Sequence, residues 1–279
     1  MKFYTNDHVE LVYDDQGEPS DPPVVILSGI GAYKEYWEAT ITTLVAHHYR
    51  VINVDARNQG QSEHTSKGLR ISRHAADLFE LIAQLQLTRP VLMGNSMGAS
   101  TMLAYLSLYG AQNVRAVVDV DQSPKMINDA NWQWGFKDLT WEDFHEVLKR
   151  PLGKATYTNF DETLFTKLQR LKKQDPYDAE LNYPLLIDHA TQDWRDIITH
   201  LECPLLIVSG QKSPFFAPEM GAVVAEMSKH VTAVVISQAG HLVMAEQPRR
   251  FNAELVKFLT SLPAEFSLEN RSQSGYNSN

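Results

Sequence analysis

Short runs of nearly uninterrupted apolar residues punctuate the chain, and they set its architecture. Val24-Val25-Ile26-Leu27, Val51-Ile52-Asn53-Val54, Pro90-Val91-Leu92-Met93, Ala116-Val117-Val118 and Leu205-Leu206-Ile207-Val208 read as strands buried on both faces of a parallel sheet. A further strand is expected over 231–237, and two short ones over 2–5 and 9–13. Between the strands the pattern changes period. Residues 34–47 place Trp37, Ile41 and Leu44 on one helical face, and 71–87 form a second amphipathic stretch. Helices are also expected over 218–229 and 245–262. Gly17, Pro19, Pro22 and Pro23 mark an early loop. Strands alternating with helices predict an α/β protein with a doubly wound, mostly parallel sheet. The alternation stops over 122–202. That segment carries no buried strand, holds Trp132, Trp134, Trp141 and Trp194, and has helix-like stretches at 141–148 and 161–171. The expected division is a core of residues 1–121 and 203–262, a helical insert over 122–202 and a polar tail over 263–279.

Composition narrows the function classes. With 279 residues, 43% hydrophobic and 21% charged, the chain can bury a substantial core. The net charge of −9 and the lack of a basic cluster argue against a nucleic-acid partner. No stretch reaches membrane-spanning length, and the N-terminus has no apolar leader segment. Cys203 is the single cysteine, which fits a reducing compartment, so a cytoplasmic location is expected.

The chemistry concentrates at Gly94-Asn95-Ser96-Met97-Gly98, between an apolar strand and a small-residue helix. Strand, sharp turn with glycine two residues either side of a serine, then helix is the context of a nucleophile elbow. Such a turn strains the serine backbone, exposes its hydroxyl and sets the Met97 N–H at a helix N-terminus, where negative charge is favoured. On its own the pentapeptide also fits a glycine-rich turn without chemistry.

Three more features occur in order along the chain. Ser28-Gly29-Ile30-Gly31 follows the first buried strand, Asp55-Ala56-Arg57-Asn58-Gln59-Gly60-Gln61-Ser62 follows the next, and Gly240-His241 follows the last. Together with the elbow, they resemble the α/β-hydrolase fold family over residues 24–121 and 203–262, with 122–202 inserted where many members carry a helical cap. Ser28 stands where the family often has histidine, and Asn58 where it has glycine. The resemblance implies that Ser96 is the nucleophile, that His241 is its general base, and that the backbone N–H groups of Ile30 and Met97 form the oxyanion hole. It implies acyl transfer on a small-molecule ester, with neither cofactor nor metal. The other nine of the ten histidines are read as surface, helix-face or cap residues. Arg57 is read as a structural brace.

The third member departs from the family's common pattern. In the loop after Leu205–Val208, where many members place the acid, this chain has Ser213. A minority pattern, seen in a group of small carboxylesterases, places the acid after the strand that follows the elbow helix. There the chain offers Asp119 and Asp121, and Asp121 at the strand end is favoured over the deeper Asp119. The implied function is a serine esterase with a Ser96–His241–Asp121 triad acting on small to medium apolar esters. Thioesterase, acyltransferase, C–C hydrolase and perhydrolase chemistry share that triad. A ligand receptor on the same scaffold would be favoured if Asp121 lay far from His241. Trp132, Trp134, Phe215 and Phe216 are expected to line the substrate pocket.

Overall fold

The structure, a computed structural model, describes residues 1–263. Its centre is one eight-stranded sheet in the order β1-β2-β4-β3-β5-β6-β7-β8. These strands are β1 (Lys2–Tyr4), β2 (Glu10–Gln16), β3 (Pro23–Leu27), β4 (Arg50–Asp55), β5 (Val91–Asn95), β6 (Ala116–Val120), β7 (Leu205–Gly210) and β8 (Val231–Ile236). Pairing is antiparallel between β1 and β2 and between β2 and β4, and parallel everywhere else.

Side chains alternate across a strand, so an apolar run must feed two cores at once. Val25 and Leu27, Leu92, and Leu205 and Ile207 enter the core on one face. Val24 and Ile26, Val91 and Met93, and Leu206 and Val208 enter the core on the other. The first core is closed by α2 (Ile71–Gln84) and α3 (Met97–Tyr109), the second by α1 (Glu38–Ala46) and a C-terminal helix. The expected helix over 34–47 begins as a 3-10 turn, Lys34–Trp37, before α1, and Trp37, Ile41 and Leu44 are all buried.

The segment between β6 and β7 is helical, with α4 (Phe144–Leu148), α5 (Glu162–Gln174), α6 (Ala179–Thr191) and α7 (Arg195–Thr199). Asp161 caps α5 by accepting from the Thr163 N–H, and Asp178 caps α6 by accepting from Leu181 N–H. After β7 come α8 (Met220–Ala225), α9 (Val243–Glu246) and α10 (Pro248–Ser261). The expected helix over 245–262 is thus broken at Gln247 (φ −130°, ψ 55°), because the ring of Pro248 disfavours a helical residue before it. Pro248 itself is accommodated at the first position of α10. Phe251, Leu255 and Leu259 line the buried face of α10 at helical spacing, each worth about 1.5–3 kcal/mol of burial. The tail expected over 263–279 lies, apart from Pro263, outside the described residues.

Strand order fixes where chemistry can occur. From β3 the chain passes to β4 on one side and returns to β5 on the other, so the loops after β3 and β5 diverge at a topological switch point. Ser28–Gly31 and Ser96 meet in that crevice.

Candidate active site

Ser96 has φ 55° and ψ −124°, a left-handed conformation that a serine adopts only when its surroundings enforce it. The enforcement is steric. A Cβ on Gly94 would lie 2.4 Å from the Gly98 carbonyl carbon, and one on Gly98 would lie 2.3 Å from Leu27 O. Only hydrogen at both positions lets β5, α3 and β3 close around the serine. Asn95 completes the clamp: its buried amide donates to Val120 O (2.9 Å) and to His241 O (3.1 Å). One side chain thereby ties the elbow to the end of β6 and to the loop that carries His241.

The oxyanion candidates lie beside it. A Cβ on Gly29 would stand 3.0 Å from the Ser96 Cβ, which measures how closely that loop approaches the hydroxyl. Among the described residues, neither the Ile30 nor the Met97 N–H donates within the protein. The loop is held without the family's usual histidine. Ser28 Oγ donates to Tyr33 O (3.2 Å) and accepts from Trp37 Nε1 (3.2 Å), while Gly31 N–H donates to Gln59 Oε1 (2.6 Å). Asn58 takes φ 65° in place of glycine, a conformation asparagine tolerates better than most residues. Arg57 is fully buried, bonded to both oxygens of Asp7 and of Asp77, and does not line the cavity that holds Ser96. Those contacts hold the Asp7 carboxyl well below the usual carboxylate range, with the Arg57 hydrogen bond as the largest cause.

The acid candidate is saturated with hydrogen bonds. Asp121 is fully buried, with Oδ1 accepting from Gly210 N–H (2.9 Å) and Oδ2 accepting from the Ser213 hydroxyl (2.6 Å). The same Oδ2 lies 2.7 Å from His241 Nδ1. Serine in the loop after β7 therefore holds the carboxylate that follows β6. Asp119, two residues earlier, accepts from Gln122 N–H (3.1 Å) inside the sheet. Burial, reinforced by the Asp121 charge, pushes its carboxyl well above the usual range.

His241 is held from several directions. Its backbone N–H donates to Ala155 O (2.9 Å), and the ring meets Phe215 edge-on at 4.7 Å between centroids. Glu246, buried on α9, accepts through Oε2 from Gly240 N–H (3.0 Å), Tyr157 N–H (2.7 Å) and Thr158 N–H (2.8 Å). It staples the insert to the histidine loop. Nothing in the local sequence marks Asn95 or Glu246, because their partners are distant in the chain.

A cavity of about 750 Å³ lies over these groups. Ser96, Ile30 and His241 share it with Met126, Phe136, Tyr177, Leu186, Phe215 and Phe216, and Lys149, Arg150 and Glu180 also line it. Phe215 and Phe216 stand where expected. Trp132 and Trp134 do not: they line a separate cavity with Arg195, Val223 and Met227. Trp132 Nε1–H donates to Lys125 O (2.9 Å), which fixes the indole at the base of the insert, packed on the first core. Among the described residues, the His241 ring is hydrogen-bonded through Nδ1 to Asp121 and not to Ser96 Oγ.

A doubly wound sheet with a strained serine after β5 and a histidine after β8 defines a class, the α/β-hydrolase architecture. A family model described as alpha/beta hydrolase fold matches residues 22–248, and the chain belongs to that family. It is 24% identical over 268 residues to the pimeloyl-[acyl-carrier protein] methyl ester esterase of Vibrio vulnificus, covering 89% of this chain and 98% of that protein. It is 32% identical over 123 residues to a putative non-heme chloroperoxidase of Synechocystis, an alignment that spans 44% of each chain. Among solved structures, an esterase (EaEST) from Exiguobacterium antarcticum superposes with a TM-score of 0.82 at 25% identity, over 94% of this chain and 99% of that one. Among the described residues no helix is long and apolar enough to cross a membrane.

Proposed function

We propose that the protein is a serine esterase that cleaves small to medium apolar carboxylic esters through Ser96, His241 and Asp121. The observation that carries this reading is the 2.7 Å contact between Asp121 Oδ2 and His241 Nδ1, beside a strained serine in one apolar cavity. In the proposed reaction, Asp121 holds the proton on Nδ1, which leaves Nε2 free to accept the Ser96 proton as Oγ attacks the ester carbonyl. The N–H groups of Ile30 and Met97 take the oxyanion, a contribution of about 10²–10³ in rate per donor. Collapse expels the alcohol, protonated by His241. Water, deprotonated by the same imidazole, then releases the acid from the acyl-enzyme. The helical segment over 122–202 acts as the cap that supplies most of the apolar wall. A receptor on the same scaffold would fit an Asp121 remote from His241, and the contact argues against it.

Turnover of p-nitrophenyl esters of rising acyl length tests the reading. Wild type is expected to hydrolyse short and medium chains, and Ser96→Ala to lose about 10⁴-fold or more. No turnover by wild type, or equal turnover by the variant, would overturn it.

A further inference from the structure

Two buried histidines take no part in the proposed reaction, and they differ in one respect. His74, on α2, has both ring nitrogens sealed without a partner, and the void beside it measures only about 10 Å³. His189, on α6, is 97% buried in the sense that only 3% of its surface is exposed, yet its ring lines the catalytic cavity. Of its nitrogens, Nδ1 is sealed without a partner and Nε2 is not.

Helix geometry gives the depth of this group. Glu180, Tyr183, Leu186 and His189 all line the cavity, so α6 runs along its wall over that length. Glu180 is exposed at the outer end. His189 lies nine residues further in, about 13 Å at 1.5 Å per residue. Near it, the Asp188 carboxylate accepts from the Ile71 N–H (2.8 Å) and docks the inner end of α6 onto α2. The ring therefore belongs to the buried end of the α6 wall rather than to its exposed end, near enough to His241 for that residue to lower its basicity.

The tautomer follows from what surrounds the ring. A sealed N–H without an acceptor is rarer and costlier than a sealed lone pair, so the proton belongs on Nε2. Burial is the largest of the causes that lower the ring's basicity to a pKa of about 3, with His74 and His241 adding to it, so the imidazole stays neutral. The result is one fixed, uncharged N–H donor in a cavity whose lining includes Tyr183, Leu186, Phe136 and Met126.

We propose that His189 Nε2–H is a specificity-determining contact, and that the preferred substrates are esters with a carbonyl or ether oxygen within a few bonds of the scissile carbonyl. Such an oxygen accepts the hydrogen bond that an alkyl chain cannot, and an alkyl chain leaves the donor desolvated and unpaired. This inference rests on the esterase reading for its substrate class, but not for its test.

The first measurement is the ratio of kcat/KM within matched pairs: methyl 3-, 4- and 5-oxohexanoate against methyl hexanoate, and 2-methoxyethyl against butyl hexanoate. In wild type at least one oxygenated member is expected to be favoured. His189→Leu should lower that ratio about tenfold, and His189→Gln, which keeps a donor, should restore part of it. The second uses Ser96→Ala labelled with ¹⁵N-histidine, where binding of the favoured oxygenated ester, and not its alkyl partner, should shift the His189 Nε2 resonance. Unchanged ratios in His189→Leu for every pair, or no selective shift with any ester, overturn the proposal. Absence of wild-type turnover would defeat the esterase reading alone, because the resonance arm still reads His189, including where His189→Leu fails to fold.

Discussion

The sheet ends and the helical insert build opposite sides of one cavity, and they do so by different means. On the sheet side, polar groups are fixed by saturation: Asp121 accepts from Gly210 and Ser213 and meets His241, while Asn95 bridges Val120 and His241. On the insert side the wall is mostly carbon, and it touches the polar machinery at a few stitches. These are Ala155 to His241, Tyr157 and Thr158 to Glu246, and Asn182 to Gln59, whose other end holds the Gly31 N–H. The difference teaches a division of labour. Parallel strands give Ser96, Asp121 and His241 a rigid, hydrogen-bonded floor, and the insert sets shape while bracing His241 from above.

The strongest challenge to this comparison is at the floor. Asp121→Asn should cut kcat by about 10⁴ with little change in KM, because the amide favours the wrong imidazole tautomer. Near-normal turnover would remove Asp121 from the reaction. Moving the carboxylate to its holder, as Asp121→Ser with Ser213→Asp, should recover about tenfold or more over Asp121→Asn, since both side chains reach the same point. A stitch comes next. Glu246→Ala should lower kcat about tenfold with a smaller change in KM, and should speed amide exchange over 155–158, whereas Glu246→Gln keeps an accepting oxygen and should regain most of the loss. Equal kcat in the alanine variant would make the insert a passive cover.

Smaller effects fall on stability. Burial lowers His74 to a pKa of about 3, with Arg57 and Arg73 adding to it. The unfolded chain takes up a proton near pH 6.5 and the folded one does not. This histidine's contribution is therefore complete above pH 6.5 and is lost as pH falls toward 3. At pH 5 the loss is about 2 kcal/mol, and His74→Leu should remove that part of the acid decline in urea melts at pH 7.5 and 5. An identical acid decline in the variant would discount the burial argument. The smallest effect is expected at Trp134, which lies outside the cavity that holds Ser96: Trp134→Leu should keep kcat/KM within about twofold.

The floor was largely legible in the sequence, and the wall was not. Strands buried on both sides announce themselves as apolar runs, and the elbow needs two glycines that local geometry explains. Asp121 and Ser213 were each legible as features of a strand-end loop, through a family resemblance, but the hydrogen bond between them shows only once the two loops meet. By contrast, Trp132 and Trp134 share the aromatic richness of the true lining, and composition does not say which side of an insert a ring faces. Helix α6 carries Pro184 in its interior, which hides it from a pattern search. Nothing local separates His189 from the other cap histidines except that it follows the apolar run Leu185-Leu186-Ile187 by two residues. Glu246 looks like any acidic helix residue until segment 155–158 folds against it.

That last contact has a consequence for engineering. Inserts between β6 and β7 invite exchange between relatives, as if each were a module on a common base. Here a replacement would have to supply a carbonyl where Ala155 meets the His241 N–H and two N–H groups where Tyr157 and Thr158 meet Glu246. A graft chosen only for the shape of its pocket would leave the histidine loop short of its partners, and its poor turnover would be misread as poor substrate fit.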